Sequence, residues 1–169
     1  MPRVWVSVGS NIDREHHIRA ALADLHMAFG DLTVSPLYET DAVGFEGDAF
    51  YNLVVGFDTE LMPGELHRCM REIEARHGRE RSGEKFASRT LDLDLLTYGD
   101  RVTDDGGKAL PRDEILRYAF VLAPLVDVAA DEIHPQLGQT YRHLWERFDP
   151  KASTGLRRLN DPPWLRDAG

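Results

Sequence analysis

The chain has few of the features that mark disulfide-rich, membrane-spanning or nucleic-acid-binding proteins. Its 169 residues include one cysteine, Cys69, so an intramolecular disulfide is excluded. No stretch approaches the ~20 apolar residues of a membrane span, and the N-terminal segment lacks the apolar run of a secretory signal. The formal net charge of −9 argues against a general nucleic-acid or anionic-membrane surface. We therefore expect a cytoplasmic protein with neither nucleic acid nor a membrane as its partner.

Common nucleotide-binding motifs and internal repeats are missing as well. The chain has no Gly-x-x-x-x-Gly-Lys-Ser/Thr loop, and Gly9-Ser10-Asn11 lacks the glycine spacing of a dinucleotide-binding fold. Any ATP site must therefore belong to another architecture. The length, together with an ordinary hydrophobic fraction of 42%, indicates one globular domain over residues 1–169.

Periodic patterns in the first hundred residues predict the order β-α-β-β-α-β. The predicted segments are a strand at Val4–Val8, a helix from Asp13 to Gly30, strands at Leu32–Tyr38 and Phe50–Thr59, a helix from Pro63 to Gly78, and a strand containing Leu91–Tyr98. This order is the signature of an α+β ferredoxin-like sandwich, with an antiparallel sheet and its helices on one face.

Weaker patterns surround and follow this core. Residues 39–49 predict a loop without periodicity, long enough to suspect a function. Beyond Pro111, extra helical segments are predicted over 113–128, with an interruption at Pro124, and over 141–148. The tail from residue 149 to residue 169 has no periodic signal, and its role stays open.

The most regular strand pattern carries two aspartates separated by one leucine. In the segment Leu-Asp-Leu-Asp-Leu at 91–95, alternate side chains share a face, so the leucines enter a core while Asp92 and Asp94 project together. Their Cα atoms would be roughly 6 to 7 Å apart, which lets both carboxylates reach one divalent cation or a pair of them. Two like charges on one face repel each other, so positive charge is expected opposite them. The alternative is a half-buried strand with a solvated face.

A basic loop immediately precedes the two aspartates. Residues 78–89 contain four cations, Arg79, Arg81, Lys85 and Arg89, together with two glycines. A basic loop beside a metal site suggests that a polyphosphate and Mg²⁺ meet there. The alternative is an ordinary solvated loop, because two glutamates partly neutralise the cations.

Four segments of the chain match, in order, the motifs of a known enzyme family. They are Val8-Gly9-Ser10-Asn11, Phe50-Tyr51-Asn52, Arg89-Thr90-Leu91-Asp92-Leu93-Asp94 and Ala119-Phe120-Val121-Leu122-Ala123-Pro124-Leu125. On these segments the chain resembles the 6-hydroxymethyl-7,8-dihydropterin pyrophosphokinases of folate synthesis, from about Val4 to Phe148. The resemblance implies transfer of pyrophosphate from ATP to the hydroxymethyl group of the pterin, with release of AMP.

The same resemblance implies roles for individual residues. The catalytic set would be Asp92, Asp94, Arg79 and Arg89, with two Mg²⁺ ions held by Asp92 and Asp94. The pterin would contact Thr40, Val43, Phe50, Asn52, Phe86 and Phe120. The ATP contacts would be Glu74, Arg79, Arg81, Arg89, Leu95, Arg112 and Arg117. Phe50 and Phe120 would stack on the two faces of the pterin, although as isolated residues they are typical of core aromatics.

The chain departs from the family pattern at a few positions, most of them on the nucleotide side. Arg112 stands where the family usually has His, Tyr118 where it has Arg, Phe86 where it commonly has Trp, and Asp41 where a Pro is common. One alternative is therefore a non-catalytic pterin- or nucleotide-binding paralogue that acts as a sensor or partner. Another is a ferredoxin-like regulatory module for a different small ligand. Because the aspartate pair argues against both, we expect an ATP- and Mg²⁺-dependent enzyme. We also expect a monomer.

Overall fold

The structure is a computed structural model that describes residues 1–41, 47–78, 91–159 and 162–166. The strands of this described part are β1 Arg3–Ser10, β2 Thr33–Val34, β3 Tyr38–Thr40, β4 Phe50–Asp58, β5 Asp92–Tyr98 and β6 Arg157–Arg158. Its α-helices are α1 Arg14–Phe29, α2 Pro63–Arg76, α3 Glu114–Arg117, α4 Ala119–Ala129, α5 Tyr141–Glu146 and α6 Pro163–Arg166, with a 3₁₀ turn at Pro150–Ser153.

The strands form one antiparallel sheet in the order β5-β1-β4-β3-β6, and β2 pairs with β4 beside β3. The predicted α+β class with an antiparallel sheet is therefore confirmed. Within the described ranges, none of the helices combines the length and the apolarity needed to cross a bilayer.

One face of the sheet, called the first face here, packs against α1 and α2. Alternate residues of the central strands supply its buried side chains, as the period-2 pattern predicts. The helices contribute stripes at helical spacing, including Ile18, Leu22 and Leu25 of α1 and Leu66, Met70 and Ile73 of α2. The leucines of the aspartate strand, Leu91, Leu93 and Leu95, also enter this core, as expected.

The opposite face, called the second face, is covered by α3, α4 and α5 over part of its area. Trp5, Val54 and Leu96 of the sheet form a second core there, with Leu122 and Leu125 of α4. Sequence patterns predicted these extra helices without predicting that they would lie on the face opposite α1 and α2. The second core ends before the positions occupied by Asp92, Gly9 and Asn52, and those positions define the candidate site.

The predicted strand Leu32–Tyr38 is wrong as a single element, because it divides into β2 and β3. Ser35 lies at the division, where its hydroxyl accepts a hydrogen bond from the Val54 backbone N–H at 2.8 Å. A side chain thus replaces a backbone carbonyl in the ladder, and Pro36 has no N–H with which to resume it. β3 then continues to Thr40, into the predicted loop.

The predicted interruption at Pro124 is also wrong, because Pro124 lies inside the continuous helix α4. The break falls instead at Tyr118, which has an extended backbone between α3 and α4. Proline removes one i to i−4 hydrogen bond, to the Phe120 carbonyl, but the helix buries Val121, Leu122 and Leu125 against the sheet. Burial of these side chains outweighs the single lost bond.

Candidate active site

A row of residues crosses the second face of the sheet from β5 to β3. Asp92 pairs with Gly9, Gly9 with Asn52, and Asn52 with Tyr38. Direct cross-strand partners in an antiparallel sheet point to the same face. The row therefore brings together a residue expected to bind metal and a residue expected to bind the pterin.

Gly9 contributes backbone and no side chain to the middle of this row. Adjacent strands lie about 4.8 Å apart, so Asp92 and Asn52 are separated by about 10 Å with the glycine backbone between them. A Cβ atom at position 9 would lie 3.0 Å from Asn52 Oδ1. A side chain here would crowd Asn52 and fill the space between the two expected binding groups.

Asp92 and Asp94 lie on the second face as the alternation predicted, and both are partly buried. Burial, and then the nearby charge of Asp92, raise the pKa of Asp94 to about 7. Arg112 and Lys108 act in the opposite direction and lower it. The positive charge expected opposite the aspartates is therefore present, but it does not cancel their repulsion.

The aspartate pair fits a magnesium ion that also binds a polyphosphate. Carboxylate oxygens are the hard donors that Mg²⁺ prefers, and a cation would relieve the repulsion that raises the pKa of Asp94. Within residues 1–41, 47–78, 91–159 and 162–166, no group of three or more His, Cys, Asp or Glu could hold a metal. Mg²⁺ usually takes one or two carboxylates and completes its shell with phosphate and water, so a pair is sufficient.

Arg112 offers an unsatisfied donor near the aspartates. Its backbone N–H donates to the Leu96 carbonyl at 2.8 Å, and its Nη2 lies 2.6 Å from Glu114 Oε2. Its Nη1 is buried and has no hydrogen-bond partner among the described residues. A buried guanidinium N–H without a partner is costly, so this atom is suited to an incoming anion such as a phosphate oxygen.

The remaining expected ATP contacts are placed less favourably in the described structure. The side chains of Glu74 and Leu95 are buried, and Leu95 points into the first core, away from Asp94. Glu74 Oε2 accepts a hydrogen bond from the Leu93 N–H at 2.8 Å and so joins α2 to β5. Arg117 is exposed and pairs with Asp113 at 3.3 Å. The ATP contacts of these residues stay predictions.

The expected pterin residues that the structure describes lie on or above the second face. Thr40 pairs with Phe50 across β3 and β4, and Asn52 follows Phe50 on the same face. Asn52 is buried, and its Nδ2 has no hydrogen-bond partner in the described part of the chain. Such an amide is ready to contact the polar edge of a bound ring.

The two expected stacking residues differ from fully buried core aromatics. Phe50 is partly buried and belongs to neither core. Phe120, in α4, is partly buried, packs against the second core, and stacks on Tyr118 with ring centroids 5.0 Å apart. Each ring therefore keeps some exposed surface, which stacking on a flat ligand requires.

Five expected site residues lie outside the described residues. They are Val43, Arg79, Arg81, Phe86 and Arg89. Their roles stay predictions that rest on the resemblance.

Sequence reasoning missed two contributors to the site. Gly9 is part of a matched family motif without a role of its own, whereas its register opposite Asn52 and Asp92 makes its bare backbone the floor of the row. No sequence pattern gives Lys108 a role, although its charge acts on Asp94. No periodic pattern encodes either contact, because both depend on the pairing of distant segments.

The chain is similar to known proteins in sequence. Residues 5–130 match the family model described as 7,8-dihydro-6-hydroxymethylpterin-pyrophosphokinase (HPPK). The chain is 38% identical over 128 residues to the 2-amino-4-hydroxy-6-hydroxymethyldihydropteridine pyrophosphokinase of Bacillus subtilis. The matched segment covers 73% of this chain and 76% of the relative. It is 36% identical over 165 residues to the protein of the same name from Pseudomonas aeruginosa, and this match covers 93% of this chain and 96% of the relative.

The fold is also similar to a solved structure. Wild-type HPPK-DHPS of Plasmodium falciparum superimposes with a TM-score of 0.70 at 13% identity, over 93% of this chain and 48% of that one. This chain thus spans about half the length of that protein, and the likeness supports the fold alone. The family match and the two relatives favour an enzyme over a non-catalytic binder, and they show that the chain belongs to the 7,8-dihydro-6-hydroxymethylpterin-pyrophosphokinase family of folate synthesis.

Proposed function

We propose that the row Asp92–Gly9–Asn52 is the place where this chain transfers pyrophosphate from ATP to the hydroxymethyl oxygen of 6-hydroxymethyl-7,8-dihydropterin, with release of AMP. The observation that carries the proposal is the register, which puts a carboxylate pair and an unsatisfied amide on one sheet face with a glycine between them. The separation of about 10 Å leaves room for a reacting group between the two binding sites.

The pterin occupies the β3–β4 side of the row. Asn52 donates from Nδ2 to an acceptor on the ring edge, which satisfies an amide that is buried in the free protein. Phe50 and Phe120 stack on the two ring faces, and Thr40, Val43 and Phe86 complete the pocket. Partial burial of Phe50 and Phe120 supports this arrangement.

The triphosphate lies on the β5 side of the row. Asp92 and Asp94 would hold two Mg²⁺ ions, whose positive charge would neutralise the polyphosphate when they are bound. Arg112 contributes its Nη1 donor, and Arg79, Arg81 and Arg89 are further phosphate contacts. Glu74 positions β5 through the Leu93 N–H.

The chain's contribution to this chemistry is placement and charge. Phosphoryl-type transfer is accelerated mainly by holding the attacking oxygen and the phosphorus in line while the developing charge is stabilised. The absence of a side chain at Gly9 lets the hydroxymethyl group approach the phosphate, and no side chain in the described part of the chain has to act as a general base. We also propose a ferredoxin-like core, supported by the order β5-β1-β4-β3 with α1 and α2 on one face, and a monomer in solution.

Product analysis tests the proposed reaction. The protein is incubated with ATP, Mg²⁺ and 6-hydroxymethyl-7,8-dihydropterin, and the nucleotides are separated. The proposal requires AMP in equal amount to the diphosphorylated pterin. ADP as the product, or AMP formed equally well without the pterin, contradicts it.

A further inference from the structure

A set of charged side chains lies on the first face, directly behind the strands that carry Thr40 and Phe50. Glu39 pairs with Tyr51 across β3 and β4, so it points away from the face that carries Thr40. Its carboxylate contacts two arginines from distant parts of the chain. Arg14 Nη1 of α1 lies 2.7 Å from Oε2, and Arg157 Nη2 of β6 lies 3.0 Å from Oε1. We call Glu39, Arg14 and Arg157, together with Asp41, the Glu39 cluster.

Arg157 contacts both neighbours of Thr40. It is the cross-strand partner of Glu39 in β6, and its Nε donates to Glu39 Oε1 at 3.2 Å. Its Nη2 also donates to Asp41 Oδ1 at 3.1 Å. One planar guanidinium thus fixes the residue before and the residue after Thr40.

Arg14 contacts both neighbours of Phe50 in the same way. Its Nη1 donates to the Ala49 carbonyl at 2.9 Å. Its guanidinium carbon lies 3.9 Å from the centroid of the Tyr51 ring, a close cation–π contact. Because Glu39 binds both arginines, the backbones on each side of Thr40 and of Phe50 are joined through one carboxylate.

We propose that Arg157 and Arg14 are positioning residues for the pterin half of the reaction, and that the C-terminal strand β6 is part of the active-site scaffold. The inference rests on the proposed function, which places Thr40 and Phe50 against the pterin. β3 has only three residues, and a strand this short needs help to hold a fixed geometry. Substrate placement must be accurate to a fraction of an ångström, so small shifts of these strands affect pterin binding.

An ordinary surface ion pair is the competing explanation, and it makes a different prediction. Exposed pairs contribute little to global stability, so either explanation predicts a small change in melting temperature. Only a positioning role predicts a selective change in pterin binding. Arg157 also offsets the negative charge of Asp41, which it contacts directly.

The test compares Arg157→Gln and Arg14→Gln with the matched control Arg3→Gln. Arg3 pairs with Asp58 at the far end of the β1–β4 ladder, and its side chain is 41% exposed, against 42% for Arg157. We expect KM for the pterin to rise by about 5- to 100-fold in the two test variants, while KM for Mg-ATP stays nearly constant. Arg157→Lys keeps the charge and should recover part of the loss, whereas Arg3→Gln should resemble the wild type.

Amide hydrogen exchange gives a readout that does not depend on turnover. Exchange should be faster in β3 and at the start of β4 in Arg157→Gln than in Arg3→Gln, with the remaining sheet unchanged. If Arg157→Gln fails to fold, Asp41→Asn tests the same contact. Unchanged pterin KM and unchanged exchange would overturn the inference while the proposed function stands. Absence of AMP formation by the wild type would contradict the proposed function, and the exchange comparison would still decide whether Arg157 holds β3.

Discussion

Asp94 shows how a single side chain connects stability with ligand binding. Its pKa is raised to about 7 by burial and by Asp92, so near neutral pH the folded protein holds a carboxylate in an unfavourable place. A group that costs stability in the free protein and gains a partner on binding is typical of a functional site. Asn52, with its unsatisfied Nδ2, follows the same logic on the pterin side.

Replacing Asp94 by Asn should stabilise the protein without Mg²⁺, and more so at higher pH. In the unfolded chain the carboxyl has a pKa near 3.9, so between about pH 4 and pH 7 the folded state binds the additional proton and wild-type stability falls as pH rises. The gain of Asp94→Asn should grow through that window, reach on the order of 1 to 4 kcal/mol, and then level off. Chemical denaturation at pH 4, 6 and 8 measures it.

Asp58→Asn is the matched control for this experiment. It removes the same charge from a strand, at an exposed position paired with Arg3. Its effect should be small at each pH. A gain for Asp94→Asn that is equal at pH 4 and pH 8 would show that burial and Asp92 do not act on this carboxyl as described.

At the scale of elements, a chain of ring contacts joins α1 to the end of α2. His17 Nδ1 lies 2.9 Å from His77 Nδ1, and His77 Nε2 lies 3.2 Å from Asp24 Oδ2. The short contact between the two Nδ1 atoms has room for one proton, so two charged rings would repel each other there. Burial, and then His77 and His16, lower the pKa of His17.

This arrangement predicts that the protein loses stability in mild acid. Because the folded-state pKa of His17 lies below the unfolded value near 6.5, the unfolded chain binds more protons as pH falls, and stability present above pH 6.5 is lost below it. His17→Asn should make the decline between pH 7 and pH 5 less steep. His26→Asn serves as the control, because the His26 ring lies in the same helix and is exposed. Parallel declines in wild type and His17→Asn would contradict the prediction.

The elements that sequence patterns predicted are those with a long period of buried residues. Ile18, Leu22 and Leu25 mark α1, and Leu91, Leu93 and Leu95 mark the aspartate strand, because each set meets the core at regular spacing. β6, with two residues, has no period to detect, and it is defined only by its pairing with Tyr38 and Glu39. Elements that depend on a distant partner are invisible to a local pattern.

At the scale of the whole molecule, the candidate site depends on register between segments far apart in sequence. The aspartates were predictable from alternation, but their position opposite Gly9 was not. The β1–β5 register shifts between Trp5 and Val6, and only the folded sheet fixes such a shift. Likewise, the pterin roles of Phe50 and Phe120 came from the resemblance, since each ring alone is typical of a core residue.

Because one row carries both expected binding sites, the two substrates should strengthen each other's binding. Each bound substrate forms a wall of the neighbouring site, so pterin affinity should rise by about 5- to 150-fold when Mg-ATP is present. Isothermal titration of the pterin, with and without a non-hydrolysable Mg-ATP analogue, measures this. Equal affinities would mean that the pterin site and the Mg-ATP site bind independently, although they lie on either side of Gly9.

The most direct test of the central claim is AMP formation by Asp92→Asn and Asp94→Asn, measured beside Asp58→Asn under saturating Mg²⁺, ATP and pterin. Loss of one ligand charge from the aspartate pair should lower turnover by several orders of magnitude, while the folded structure is kept. Asp58→Asn should retain nearly normal turnover. Near-normal AMP formation by either aspartate variant would remove that residue from the mechanism, and near-normal formation by both would contradict the account of this site.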